Sequence, residues 1–162
     1  NWSNTSVSTM ASAGVLKGYP DGTFGPGRQI TRAEFAAIVS RLYPRDSGGE
    51  RLFGDTAGHW GEAEINKVAG LGWINGYPDG TFRPDAAITR AEVTAIVNRL
   101  LIRRVGSEED FCEGMTVWPD NRDSSKWYYL DIQEASNSHD YVWDKERNVG
   151  KWTGIIDAAP LA

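Results

Sequence analysis

The chain has 162 residues, enough for one ordinary domain or two or three small modules. With 40% hydrophobic, 24% charged and 11% aromatic residues, its composition is that of a globular protein and excludes a disordered one. The net charge of -5 is uneven, because residues 107–146 hold 11 acidic and 3 basic residues. No single-sign basic surface follows from that pattern, which argues against a nucleic-acid partner.

The N-terminus, Asn1-Trp2-Ser3-Asn4, has neither a basic flank nor an apolar core, so any signal peptide is expected to be gone already. No run approaches the roughly 18 apolar residues of a membrane-spanning helix, so membrane insertion is not expected. From here an internal repeat organises the chain. Gly18-Tyr19-Pro20-Asp21-Gly22-Thr23-Phe24 recurs as Gly76-Tyr77-Pro78-Asp79-Gly80-Thr81-Phe82, and Ile30-Thr31-Arg32-Ala33-Glu34 as Ile88-Thr89-Arg90-Ala91-Glu92. At this offset of 58, 18 of the 25 positions in 18–42 match their counterparts, and Trp2 pairs with Trp60. The boundaries predicted are repeat one over 1–43, repeat two over 53–101 and a degenerate third copy with a divergent tail over 117–162. Together they are expected to form one compact unit.

Each full repeat is predicted as helix, turn-rich loop, helix. In the first helix of repeat two, Trp60, Ile65, Val68, Ala69 and Leu71 form a loose apolar stripe that ends at Gly70 and Gly72. Tyr-Pro-Asp-Gly is a type I turn signature. Thr31 with Glu34, and Thr89 with Glu92, have capping-box spacing. Phe35, Ile38, Val39 and Leu42, and likewise Val93, Ile96, Val97 and Leu100, follow the i, i+3, i+4, i+7 rule of an apolar helix face. The linkers are Pro44 to Leu52 and the acidic stretch Ile102 to Thr116, which contains the single cysteine, Cys112. One cysteine forbids an intrachain disulfide, and with only His59 and His139 beside it a zinc site is not expected. The third copy matches Phe53-Gly54-Asp55, Trp60 and Ile65 with Trp118-Pro119-Asp120, Trp127 and Ile132, then departs from the motif.

Capping explains Thr31, Glu34, Thr89 and Glu92, and turn geometry explains the glycines and prolines. Tyr19, Tyr77, Phe24 and Phe82 suit packing anchors better than ligand contacts. Arg32 and Arg90 fit neither account, since a cation at the first helical position opposes the macrodipole. Either each builds an anion pocket beside free backbone N–H groups, or each pairs with an acid such as Asp21 or Asp79. The turns lack the alternating acids of an EF-hand, and Asp120, Asp123 and Asp131 suit a solvated acidic loop, so no metal or cofactor is expected. No nucleophile–histidine motif is present, and the expectation is a non-enzymatic protein.

The aromatic–Asp start, the Trp, Gly-Tyr-Pro-Asp-Gly-Thr-Phe-x-Pro and Ile-Thr-Arg-Ala-Glu together resemble the S-layer homology module, strongly over 1–101 and weakly over 117–141. The resemblance implies an all-α fold of tandem helix–loop–helix repeats in a pseudo-threefold arrangement. It also implies an extracellular location at the bacterial cell surface. The expected function is anchoring through an anionic, pyruvylated secondary cell wall polysaccharide, or another peptidoglycan-linked polymer, bound in inter-repeat grooves. The alternative is a structural or protein-interaction module without sugar binding. The ligand set carried over is Arg32 and Arg90, with Asp21, Asp79, Tyr19, Tyr77 and Trp73 around them. Repeat one starts just short of the Phe-x-Asp element, so its start reads as truncated.

Overall fold

The computed structural model describes residues 4–43 and 52–156. Trp2, linker residues 44–51 and the tail 157–162 lie outside the described residues. The chain divides into two compact units, Asn1–Ile88 and Thr89–Ala162.

In the first unit, α1 spans Asn4–Ser12, α2 Arg32–Leu42 and α3 Glu62–Gly70, with a 3-10 turn at Gly54–Thr56. Thr31 Oγ1 accepts from the Glu34 N–H while the Glu34 carboxylate accepts from the Thr31 N–H, so the capping box closes the start of α2. The face that α2 buries differs from the predicted stripe. Ala33, Ala36, Ala37, Val39 and Ser40 are buried, whereas Leu42 is exposed. Small side chains on the inner face let α3 approach closely, and Ile65 and Val68 of α3 are fully buried. The Lys67 Nζ donates to Ser40 O and ties the two helices. Trp60 precedes α3 instead of belonging to its stripe and is 60% exposed.

In the second unit, α4 spans Arg90–Leu100 and α5 Tyr129–Ser136, with a 3-10 turn at Glu108–Asp110. Asn98 joins the helices, donating to Asp131 O and Oδ1. The expectation of an all-α, pseudo-threefold set of helical repeats is corrected here. After α5 come two antiparallel strands, β1 His139–Asp144 and β2 Val149–Ile155, paired from His139 opposite Ile155 to Asp144 opposite Val149 with the register shifting by one residue between Asp140 and Tyr141. The third copy is therefore one helix and a β-hairpin, and its elements are not equivalent to those of the first two. The physical reason lies in the residues, since Tyr141, Val142, Trp143, Val149, Trp152, Thr153 and Ile155 are β-branched or aromatic. Asn148 supplies the positive φ, +56°, at the end of the connection.

A polar network fixes this hairpin to α5. The buried Glu134 carboxylate accepts from Trp152 Nε1 at 2.8 Å and from Arg103 Nε at 3.1 Å. His139 stacks on Trp152 with centroids 3.9 Å apart, donates from Nδ1 to Asn137 O, and sets Nε2 3.3 Å from Glu134 Oε1. Asp110 is held as firmly. Arg147 grips it with two hydrogen bonds of 2.7 and 2.8 Å, and the Gly106 and Ser107 N–H groups donate to it.

Candidate functional site

The two Tyr-Pro-Asp-Gly loops are built alike. Gly22 N–H returns to Tyr19 O, Gly80 N–H to Tyr77 O, and each glycine has φ near +80° (+81° and +80°), a region that L side chains avoid. Asp21 and Asp79 each accept from the N–H and hydroxyl of the threonine two residues on. In the second loop Arg83 adds a 2.7 Å bond to Asp79. The Thr81 hydroxyl, then Arg83 and the Thr81 N–H, pull the Asp79 carboxyl down to about 2. Tyr19 lies under Arg28, 4.3 Å from ring centroid to guanidinium, and Tyr77 under Arg83 at 4.1 Å. Arg83 itself has φ +57°, where repeat one has Gly25 at +62°. Its contacts with Asp79 and Tyr77 offset that strained backbone.

Asp55 extends the second loop to the start of its own repeat. Its carboxylate accepts from the N–H groups of Phe82 and Arg83. Burial pushes this carboxyl up, yet those donors outweigh it and the net direction is down. Sequence reasoning gave Asp55 no task, although its recurrence with Asp120 was the available signal.

Arg32 is locked into that loop and is 2% exposed. Nε donates to Phe82 O at 2.8 Å, Nη2 to Asn75 O at 2.9 Å, and the guanidinium lies 4.7 Å from the centroids of both Tyr77 and Phe82. The helix N-terminus beside it is equally occupied. Arg32 N–H donates to Ala86 O, Ala33 N–H to Pro84 O, and Thr31 bridges Ala87. A buried guanidinium is tolerable only with such donors matched and an aromatic face on it. Loop carbonyls thus fill the place where an anion pocket was expected on α2.

Arg90 has a different setting. Thr89 and Glu92 form the same capping box, yet Arg90 is exposed. Neither the Arg90 nor the Ala91 N–H donates to a described residue. Trp73 is half-buried and edge-on to Tyr43 at 5.3 Å. Tyr19, Asp21, Tyr77, Asp79, Trp73 and Arg32 all belong to the first unit and Arg90 to the second. Among the described residues no three His, Cys, Asp or Glu side chains converge on a metal-sized site, and no helix is long and apolar enough to cross a membrane.

An arginine-led helix docked into the turn loop of the following repeat defines a tandem-repeat module. The chain belongs to the S-layer homology domain family, whose model matches residues 1–36 and 52–94. It is similar to cell surface glycoprotein 1 of Acetivibrio thermocellus, 36% identical over 91% of this chain, and to the cellulosome-anchoring protein of that organism, 36% identical over 90%. A surface layer protein of Brevibacillus choshinensis is 29% identical over 82% of the chain. The chain spans 7%, 32% and 12% of the lengths of these relatives. The family and these relatives place the module outside the cell, at the bacterial surface, in an anchoring role.

Proposed function

We propose that the chain anchors a larger protein to the cell envelope, without catalysis, by binding an anionic and pyruvylated secondary cell wall polysaccharide. The observation that carries this reading is the start of α4, where an exposed guanidinium stands beside two backbone N–H groups that donate to no described residue. Guanidinium and helix N-terminus favour the same carboxylate, the former through a planar fork and the latter through its dipole. Arg90 is the direct anion ligand in this proposal. Within the first unit, Arg32 holds Tyr77 and Phe82 in place, Asp21 and Asp79 hold the two turns, and Tyr19, Tyr77 and Trp73 offer aromatic faces to sugar rings.

Calorimetry with a pyruvylated disaccharide tests it. Arg90→Ala is expected to weaken binding roughly tenfold or more, since one charged hydrogen-bonding partner is worth about 1.5–3 kcal/mol. Arg90→Lys should recover little. Undiminished affinity in Arg90→Ala, folded by circular dichroism, overturns the assignment. Retention on cell wall sacculi that persists after acid stripping of the polymer overturns the polysaccharide reading itself. The saturated Arg32 favours a second reading, a protein-interaction module.

A further inference from the structure

The two copies of the Thr-Arg-Ala-Glu motif differ in what covers them, and the two turn loops differ in the complementary way. On α2 the cover is the loop of repeat two, through the carbonyls of Asn75, Phe82, Pro84 and Ala86. On α4 the same donors, Arg90 and the Ala91 N–H, reach no described acceptor. The loop of repeat one shows the other half of this mismatch. Its carbonyls at Lys17, Phe24, Pro26 and Arg28 stand 58 positions before those four and accept from no described residue. Phe24 is 41% exposed, whereas Phe82, under Arg32 and Phe53, is fully buried. Tyr77 carries two guanidinium groups, those of Arg83 and Arg32, while Tyr19 carries that of Arg28 and, among the described residues, no second.

We propose that copies of this chain associate head to tail, the Thr89-Arg90-Ala91 end of α4 in one copy docking on the Lys17–Arg28 loop of a second. The α2 interface is the template. The Arg90 N–H would donate to Arg28 O and the Ala91 N–H to Pro26 O, with the guanidinium on Phe24 O and Lys17 O over the Phe24 and Tyr19 rings. An interface made of two different surfaces leaves one of each uncovered at the ends, so it grows into an open array or closes into a ring. This inference stands apart from the saccharide reading, because association is measured with no saccharide present. Both readings use Arg90, so a bound polymer and a second copy compete for it.

Sedimentation velocity on the full chain at rising concentration provides the test. The wild type is expected to gain mass with concentration. Arg90→Ala removes the plug, and Phe24→Arg sets a cation in the path of the incoming guanidinium. Both positions are exposed, and circular dichroism confirms the fold of each variant. Each variant alone should associate at least tenfold more weakly than wild type. Mixed, they should form a one-to-one dimer that grows no further, because Phe24→Arg keeps the plug and Arg90→Ala keeps the loop. A wild type that stays monomeric overturns the proposal. So does an Arg90→Ala variant that associates as the wild type does, or a mixture that yields no dimer.

Discussion

Arg32 and Arg90 occupy one position of one motif, 58 residues apart, and live in opposite environments. Arg32 gives up its hydration for two carbonyls and two rings, so truncating it strands Phe82 O and Asn75 O in a dry setting. Arg32→Ala is therefore expected to destabilise the first unit by about 3 kcal/mol, the scale of a broken buried charge-assisted contact. Arg90→Ala should change stability by less than about 0.5 kcal/mol, as exposed substitutions do. Urea unfolding of the two variants separates the roles. Equal losses would show that Arg90 is also structural.

At the level of elements, the third copy depends on a latch between a helix and a hairpin. Glu134 on α5 accepts the indole N–H of Trp152 on β2, and His139 on β1 stacks against that indole. Glu134→Ala leaves the Trp152 N–H buried without its acceptor, a loss of about 2–4 kcal/mol. Near-ultraviolet circular dichroism should show the Trp152 environment collapse, and amide exchange over 139–155 should accelerate. The turn of repeat two has its own critical position. A Cβ at Gly76 would collide with the Phe53 ring and lie 2.8 Å from Thr81 O. Gly76→Ala is expected to cost about 1–3 kcal/mol, the range for overpacking, and to uncover Phe82. Thermal melts would show it as a lowered midpoint.

Taken as a whole, the molecule places depressed carboxylates in both units. Asp55 and Asp79 lie in the first, and Asp110 in the second, where Arg147 outweighs burial and holds its carboxyl low. A folded value below the unfolded one means that the unfolded chain binds protons first as pH falls. The stabilisation from these groups is then complete above the ordinary carboxylate value of 3.8 and is lost on the way down, for Asp79 towards about 2. Stability measured against pH should accordingly stay level down to about pH 4 and fall below it. Asp79→Asn should lower stability at neutral pH and lessen the acid-side fall. An unchanged profile would show that the Thr81 and Arg83 bonds do not form in solution.

The repeat and the residues of its turns and caps were legible because they rest on local chemistry. Thr31 and Glu34 bond within one turn of helix, and a positive φ at Gly22 and Gly80 concerns four residues at a time. The β-hairpin carried a local signal too, in the β-branched and aromatic residues of 141–155 and the alternation of Lys151, Trp152 and Thr153, but the helical repeats before it led to an all-α expectation with a divergent tail. Only the tertiary structure decided the fate of the motif arginines. Arg32 and Arg90 sit in nearly identical sequence, and what separates them is a loop about 50 residues downstream that covers one helix and, among the described residues, has no counterpart on the other. Burial of a guanidinium depends on carbonyls brought from such distances, and no local pattern encodes their arrival.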